Sequence, residues 1–512
     1  AAVGAKCSSI TSAVPTGPGS LIDQIQDKYV ELTTGKKPPE EFVFEDDDDD
    51  PTNDVEVEEK VVREQDHLFA FAADLTEEEL EELDNQYAEL FGDDAGKWTQ
   101  AFEAAKLARL EEVPNSIDWQ PAPGLEFHLR CMPRFPCGPH ICDTHDVPDW
   151  MQKSWAALGR EMIVMGKVGV IIMAGGLEAR FMQKGNPKGM TDIGLLSKKS
   201  LYQIFCERIL RLQYLIDKEK KKVLEAYDAN EMDAKRIAKK IGATRVRKMR
   251  EPTRIPLYVM TNMRTTIMTR KYFTDNENFA LQEDQVVIFE QDEVPIMDLN
   301  GKAILIDKDE ILTNPGGNGC LFEAVRQDGV LSDMKARHIE QFFVMSVDNL
   351  LTKVADPQFL GYCKVARTDL GIKLVEKLTA DEEVGILMRH TKSKEHPILA
   401  ILEKSYLTPD QREEYMLDRL NAPPGPEYVG RIMECFEIPY DVRAMKKRSD
   451  GSKMAFGHAN VCQYVMSMDV LEAASRLMQH NTKGFHWVPT HTKYMDWEVT
   501  GELINPPHGA RN

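Results

Sequence analysis

Apolar residues recur along the chain in two different periods. In DLTEEELEELDNQYAELF, Leu80, Leu83, Tyr87 and Leu90 fall at helical spacing, and Thr76 followed by Glu79 gives a capping-box pattern, so residues 74–112 read as helices. From about residue 150 the pattern changes to short apolar runs: VGVIIM (168–173), IPLYVM (255–260), VVIF (286–289), FFVMSV (342–347) and residues 373–375. Helical stretches lie between several of them, the first an amphipathic one over 200–215. Strands alternating with helices predict an α/β fold, a doubly wound and mostly parallel mixed sheet. No apolar run approaches the ~18–20 residues that span a bilayer, which disfavours an integral membrane protein.

Composition refines this organisation. The 512 residues are 42% hydrophobic and 29% charged, enough for two or three domains and a large core. The net charge of −21 is concentrated: residues 1–112 hold 30 acidic and 9 basic side chains, and the remaining 400 hold 54 of each. A neutral body argues against a nucleic-acid binder. Residues 1–66, with the acidic run at 45–50, read as a weakly structured arm, either a solvated tail or a docking segment for a basic partner. A helical region and Pro-rich link (67–150), an α/β domain (151–480) and a C-terminal remnant (481–512) follow. The α/β domain is interrupted at 217–250 by a lysine- and arginine-rich helical stretch, read as a solvated helix that could also engage a protein partner. The nine cysteines are odd in number and dispersed, as suits a reducing compartment, cytoplasmic or organellar. The start without Met fits a removed targeting peptide or an incomplete sequence. In the link, Cys137, His140, Cys142 and His145 could supply four zinc ligands, though in no standard finger spacing.

The segment richest in chemistry is MAGGLEARFMQKGNPKGM (173–190). A glycine loop straight after a strand lets backbone N–H groups approach phosphates. Arg180 and Lys188 place cations beyond it, as phosphoryl chemistry requires.

Here the chain resembles the eukaryotic UDP-N-acetylhexosamine pyrophosphorylases, within the wider UDP-sugar pyrophosphorylases, whose strand-loop reads L-x-x-G-x-G-T-R-L-G-x-x-x-P-K-G-M. Further segments follow in the family's order: DIGLLSKKSLYQI (192–204), YVMTN (258–262), PGGNG (315–319), SVDNLLTKVADP (346–357) and VEK (375–377). The resemblance covers about 75–512. It implies a nucleotide-diphospho-sugar transferase sheet and the reaction of UTP with a sugar 1-phosphate, giving a UDP-sugar and pyrophosphate with the help of Mg²⁺. It also implies roles: the backbone of Ala174, Gly175 and Gly176 at the nucleotide, Gln291 and Gly317 at the uracil, Arg180 and Lys188 at the phosphates. Asp348 would sit near the metal, and Gly385 and Glu403 would contact the sugar.

The departures from the family fall on the site. Its second loop glycine is Glu178, its Thr is Ala179 and its later Gly is Met182, with one extra residue before Pro187. A carboxylate facing a triphosphate costs about 1 kcal/mol per charge pair at ~4 Å in water and ~4 at an effective dielectric near 20. On the segment KMAFGHAN (453–460), the family's sugar-binding Asn is Met454 and its Gly is Phe456. The family's last motifs lie beyond the point where this chain stops, Asn512. Together these departures predict a non-catalytic or strongly impaired homologue, a binding or structural subunit of a larger assembly. An active UDP-N-acetylglucosamine pyrophosphorylase is the alternative.

Overall fold

The computed structural model describes residues 65–92, 119–121, 142–176, 186–228, 243–298, 301–326, 329–390, 429–433, 440–446, 453–480, 494–495 and 503–504. In chain order the main elements are α1 (Glu77–Phe91), β1 (Trp119–Pro121), α2 (Asp149–Val164), β2 (Val168–Met173), α3 (Leu201–Asp228), α4 (Ala243–Arg250), β3 (Leu257–Asn262), α5 (Met263–Asp275), β4 (Val286–Gln291), β5 (Glu293–Pro295), β6 (Leu305–Asp307), β7 (Glu310–Ile311), β8 (Thr313–Pro315), α6 (Val330–Ala336), β9 (Gln341–Ser346), α7 (Pro357–Ala366), β10 (Leu370–Glu376), β11 (Ile386–His390), β12 (Val429–Met433), β13 (His458–Ser467) and α8 (Met468–His480).

Nine strands form one mixed sheet in the order β1-β11-β13-β9-β2-β3-β4, with β10 added on β13 and β12 on β11. The pairs β9/β2, β2/β3 and β3/β4 are parallel, as the strand–helix alternation predicts. Every pairing made by β13 or β11 is antiparallel, so the sheet reverses on one side of β9. Buried on both faces, β2 is apolar without alternation, the signature of a parallel strand between two helical layers. Its side chains still divide by the strand period of two. Val170 and Ile172 join Phe205 and Ile209 of α3, Phe273 of α5 and Leu360 of α7 on one face. Ile171 and Met173 join Met334 of α6 and Leu471 of α8 on the other. Each such side chain contributes roughly 1.5–3 kcal/mol of burial. Among the described residues no helix is long and apolar enough to cross a membrane.

Two helices approach unusually closely. A Cβ on Gly159 of α2 would lie 1.9 Å from the Pro357 carbonyl oxygen, and one on Gly361 of α7 would lie 1.8 Å from the Trp155 oxygen. The absent side chains let backbone meet backbone.

At the N-terminal side, α1 starts with the expected capping box: Glu79 N donates to Thr76 Oγ1, and Thr76 N donates to Glu79 Oε2. Leu83 and Phe91 of α1 pack with Leu68 on Met297, Leu305 and Ile311, a small core that includes the hairpin β6/β7.

The basic stretch departs from its sequence reading. Helix α3 continues unbroken from Leu201 to Asp228, so the amphipathic helix and the start of the insertion are one element. Nor is its lysine face wholly solvated. Lys220 is 6% exposed and donates to Asp217 Oδ1 (2.8 Å), Thr253 Oγ1 (3.0 Å) and the Glu251 carbonyl. Burial alone would raise the Asp217 carboxyl, but hydrogen bonds from Lys220 and Thr253 hold it below the usual carboxylate range.

Candidate functional site

The strands β9, β2, β3 and β4 all point their carboxyl ends the same way. Doubly wound sheets bind ligands at such ends. A cavity of about 480 Å³ opens there, lined by residues that follow each of the four strands.

One wall is the loop after β2. Gly175 and Gly176 line the cavity; Ala174 does not, because it is buried and its N–H is committed to the Met260 carbonyl (2.8 Å). Of the three loop residues named from sequence, Gly175 and Gly176 reach the cavity and Ala174 does not. Gln291, the last residue of β4, packs on this loop. A Cβ on Gly175 would lie 2.1 Å from Gln291 Nε2. Gln291 is 3% exposed, and its Oε1 has no hydrogen-bond partner among the described residues. A buried amide oxygen without a partner costs ~1–3 kcal/mol.

The facing wall comes from the β8 loop: Asn314, Pro315, Gly317 and Asn318. Gly317 sits at φ +79°, in the region that favours glycine, where the chain turns into a short 3₁₀ segment.

The third side carries charge. Lys188 N donates to the Gly176 carbonyl (3.2 Å), which holds the lysine against the glycine loop. Its Nζ reaches Asp348 Oδ2 at 3.1 Å, just past the end of β9. With side chains 31% and 57% exposed, the pair is worth ~0–1 kcal/mol, so either partner can turn to a ligand at little cost. Asp348 is the one carboxylate among the residues lining the cavity. No group of three or more His, Cys, Asp or Glu suited to a metal occurs among the described residues.

Among the cavity residues without an assignment from sequence are Asn262, Arg264 and Cys462. Asn262 caps α5, accepting from Thr265 N (2.9 Å), and its Nδ2 donates to the Gly175 carbonyl. Arg264 is the second residue of the same helix, in its first turn. Cys462 projects from β13 at φ +52°, where the register of β10 on β13 shifts. Asn262 stood inside the YVMTN motif without a role, while a lone Arg and a lone Cys carry no spacing signal.

On the sugar side, Gly385 is buried just ahead of β11, its carbonyl accepts from Asn460 N (2.8 Å), and it is not among the residues lining this cavity. Met454 and Phe456 are 1% and 5% exposed, packed in the interior. Lys446 Nζ donates to Met454 Sδ (3.0 Å). Arg180, Glu178, Ala179, Met182 and Glu403 lie outside the described residues, as do Cys137 and His140 of the proposed zinc set. Of the other two, His145 is exposed, and burial pushes the Cys142 thiol up to about 11.

Residues 140–415 match the family model described as UTP–glucose-1-phosphate uridylyltransferase, slightly over half of the chain. The mouse UDP-N-acetylhexosamine pyrophosphorylase-like protein 1 is 34% identical over 326 residues, 63% of this chain and 55% of that protein. The UDP-N-acetylglucosamine pyrophosphorylase of Saccharomyces cerevisiae is also 34% identical, over 266 residues, 52% of this chain and 48% of that one. The chain thus spans about half the length of these relatives. The crystal structure of the Trypanosoma brucei uridine diphosphate N-acetylglucosamine pyrophosphorylase superposes with a TM-score of 0.60 at 21% identity, covering 86% of this chain and 70% of that one, a likeness of fold. The chain belongs to the UTP–glucose-1-phosphate uridylyltransferase family, as a homologue of the eukaryotic UDP-N-acetylhexosamine pyrophosphorylases.

Proposed function

We propose that this protein binds a uridine nucleotide, UTP or a UDP-sugar, in the cavity at the ends of β2, β3, β4 and β9, and that its uridylyl transfer to a sugar 1-phosphate is lost or strongly reduced. The observation that carries the binding half is Gln291. Its buried Oε1 has no donor among the described residues, and its Nε2 lies beside the glycine loop. An amide offering one acceptor and one donor matches the N3–H and O4 edge of uracil. Lys188 and the backbone of Gly175 and Gly176 stand where the phosphates would follow, and Arg180 is assigned to the same chain of phosphates by resemblance. Sugar contacts by Gly385 and Glu403 remain proposals of the same kind.

The proposed loss of turnover rests on the sugar side. An amide there would pair with a substrate polar group, and Met454 offers none; its thioether is already packed inside. One observation favours the second reading, an active pyrophosphorylase: Lys188 and Asp348 are both in place and close enough to act on one phosphate. Mg²⁺ is commonly held by one or two carboxylates plus substrate phosphates and water, so a single Asp348 fits such an ion. Bound there, it would supply neutralisation of phosphate charge. A role as a subunit of an assembly would use the acidic arm 1–66 or the basic stretch 217–250.

Two titrations test this. Calorimetry with UTP should show binding, and Lys188→Ala should weaken it. Release of pyrophosphate from UTP, Mg²⁺ and N-acetylglucosamine 1-phosphate should stay at background. Turnover at ordinary enzyme rates, ~1–10³ per second, would establish the active reading instead. Absence of any uridine nucleotide binding would end both.

A further inference from the structure

The two walls of the cavity are fixed to one turn of one helix. Asn262 Nδ2 holds the Gly175 carbonyl, and so the glycine loop. Two residues on, Arg264 holds the opposite wall through a carboxylate. Its Nε donates to Glu293 Oε1 (3.1 Å) and its Nη2 to Glu293 Oε2 (3.3 Å), with a further bond from Nη2 to the Thr313 carbonyl (3.4 Å). Thr313 Oγ1 donates to the same Glu293. Thr313 opens β8, and the next residues, Asn314, Pro315 and Gly317, are the wall itself.

The hairpin that carries this wall stands apart from the main sheet. β5 and β8 pair only with each other, over three register positions. The small core with α1 takes its hairpin residues, Leu305 and Ile311, from the neighbouring β6/β7. β5 follows β4 after a single residue, and the Arg264–Glu293 fork adds a side-chain tie from α5 to the hairpin. The carboxylate is 9% exposed, and the two-pronged geometry fixes orientation as well as distance. Arg264 lines the cavity, yet its charge is already matched by Glu293, which suits a brace better than a phosphate ligand.

We propose that Arg264 and Glu293 are positioning residues that set the separation between the Gly175–Gln291 wall and the Pro315–Gly317 wall, and thereby the discrimination for a uracil-sized base. The inference rests on the nucleotide-binding reading above, but its structural half can be tested without it. Arg264→Ala, Arg264→Lys and Glu293→Gln would be compared with wild type in the full chain. Lysine keeps the charge without the fork, so it should not rescue. Hydrogen exchange should accelerate at the amides of residues 316–319 in all three variants while helix α3 stays as protected as in wild type. Unchanged exchange at 316–319 overturns the brace whether or not nucleotide binds. In calorimetry, UTP should weaken about tenfold, ~1.4 kcal/mol, with inorganic tripolyphosphate changing less than about twofold. Equal weakening of both probes, or tighter UTP binding by Glu293→Gln, would make Arg264 a phosphate ligand and overturn the proposal. A wild type that binds no UTP overturns the functional reading, and the exchange result still decides the brace.

Discussion

Adding one methyl group at Gly175 tests the packing of the cavity wall. The Cβ of Gly175→Ala would lie 2.1 Å from Gln291 Nε2 and 3.2 Å from its Cδ, well inside contact distance. The backbone there lies outside the left-handed region, so alanine itself is not strained. Fewer unfolded conformations would even stabilise the variant by ~0.4–1 kcal/mol. Against this, Gln291 is 3% exposed and cannot swing freely, so overpacking costs ~1–3 kcal/mol. The expected net loss is about 1 kcal/mol of stability. Uridine affinity should fall by ~10- to 100-fold, because the displaced amide loses a buried pairing of ~1–3 kcal/mol. Urea denaturation and UTP calorimetry measure the two effects. A double-mutant cycle with Gln291→Ala separates them: truncating Gln291 removes the clash, so the pair should couple by ~1 kcal/mol or more in stability. Additive effects, or a Gly175→Ala protein with wild-type stability and affinity, would refute the contact between Gly175 and Gln291.

Gly361→Ala should be far more damaging, because its Cβ would meet backbone, the Trp155 oxygen at 1.8 Å; a loss of at least ~3 kcal/mol, read as a fall in Tm or in soluble yield, is expected, and a wild-type Tm would disprove the close crossing of α2 and α7. Met454→Asn, which places the family's residue at the site, should destabilise by ~2–4 kcal/mol in denaturant titration, because an amide enters a position 1% exposed; unchanged stability would show that the site is open to solvent or substrate. The Asp217 carboxyl is held below its ordinary value, so its contribution is present above the unfolded carboxylate pKa near ~3.9 and is lost as pH falls through the lower folded value. Urea midpoints between pH 7 and pH 3 should therefore decline less steeply in Asp217→Asn than in wild type, and identical slopes would contradict the assignment.

The parallel half of the sheet was legible because burial on both faces leaves an uninterrupted apolar run, as in VGVIIM, which is β2 to the residue. The Thr76–Glu79 box was legible for a local reason, since both partners lie within one turn. β13 was not foreseen. Its sequence HANVCQYVMS mixes Ala, Asn and Gln with apolar residues, and its pattern slips at Cys462, where φ is positive. The glycine loop, Lys188, Gly317 and Asp348 stand inside motifs and Gln291 follows from the family resemblance, and four elements bring Gly175, Gly176, Lys188, Gln291, Gly317 and Asp348 to one cavity. Arg264 was missed because its meaning lies in a partner 29 residues away, on a hairpin whose placement no local pattern specifies.

The ties at Lys220 have a consequence for how this chain tolerates change. Asp217 on α3 and Thr253 just ahead of β3 are joined at the root of the basic stretch, with Lys220 and the Glu251 carbonyl closing the same knot. The connection between these ends, helical at its described residues 218–228 and 243–250, has both feet pinned. Lengthening a flexible connection costs only ~0.6 kcal/mol per doubling, and the knot lies between that cost and the strand. The α3–β3 junction is therefore a place where sequence can be gained, lost or exchanged for a foreign module while β3, and the cavity at its far end, keep their register.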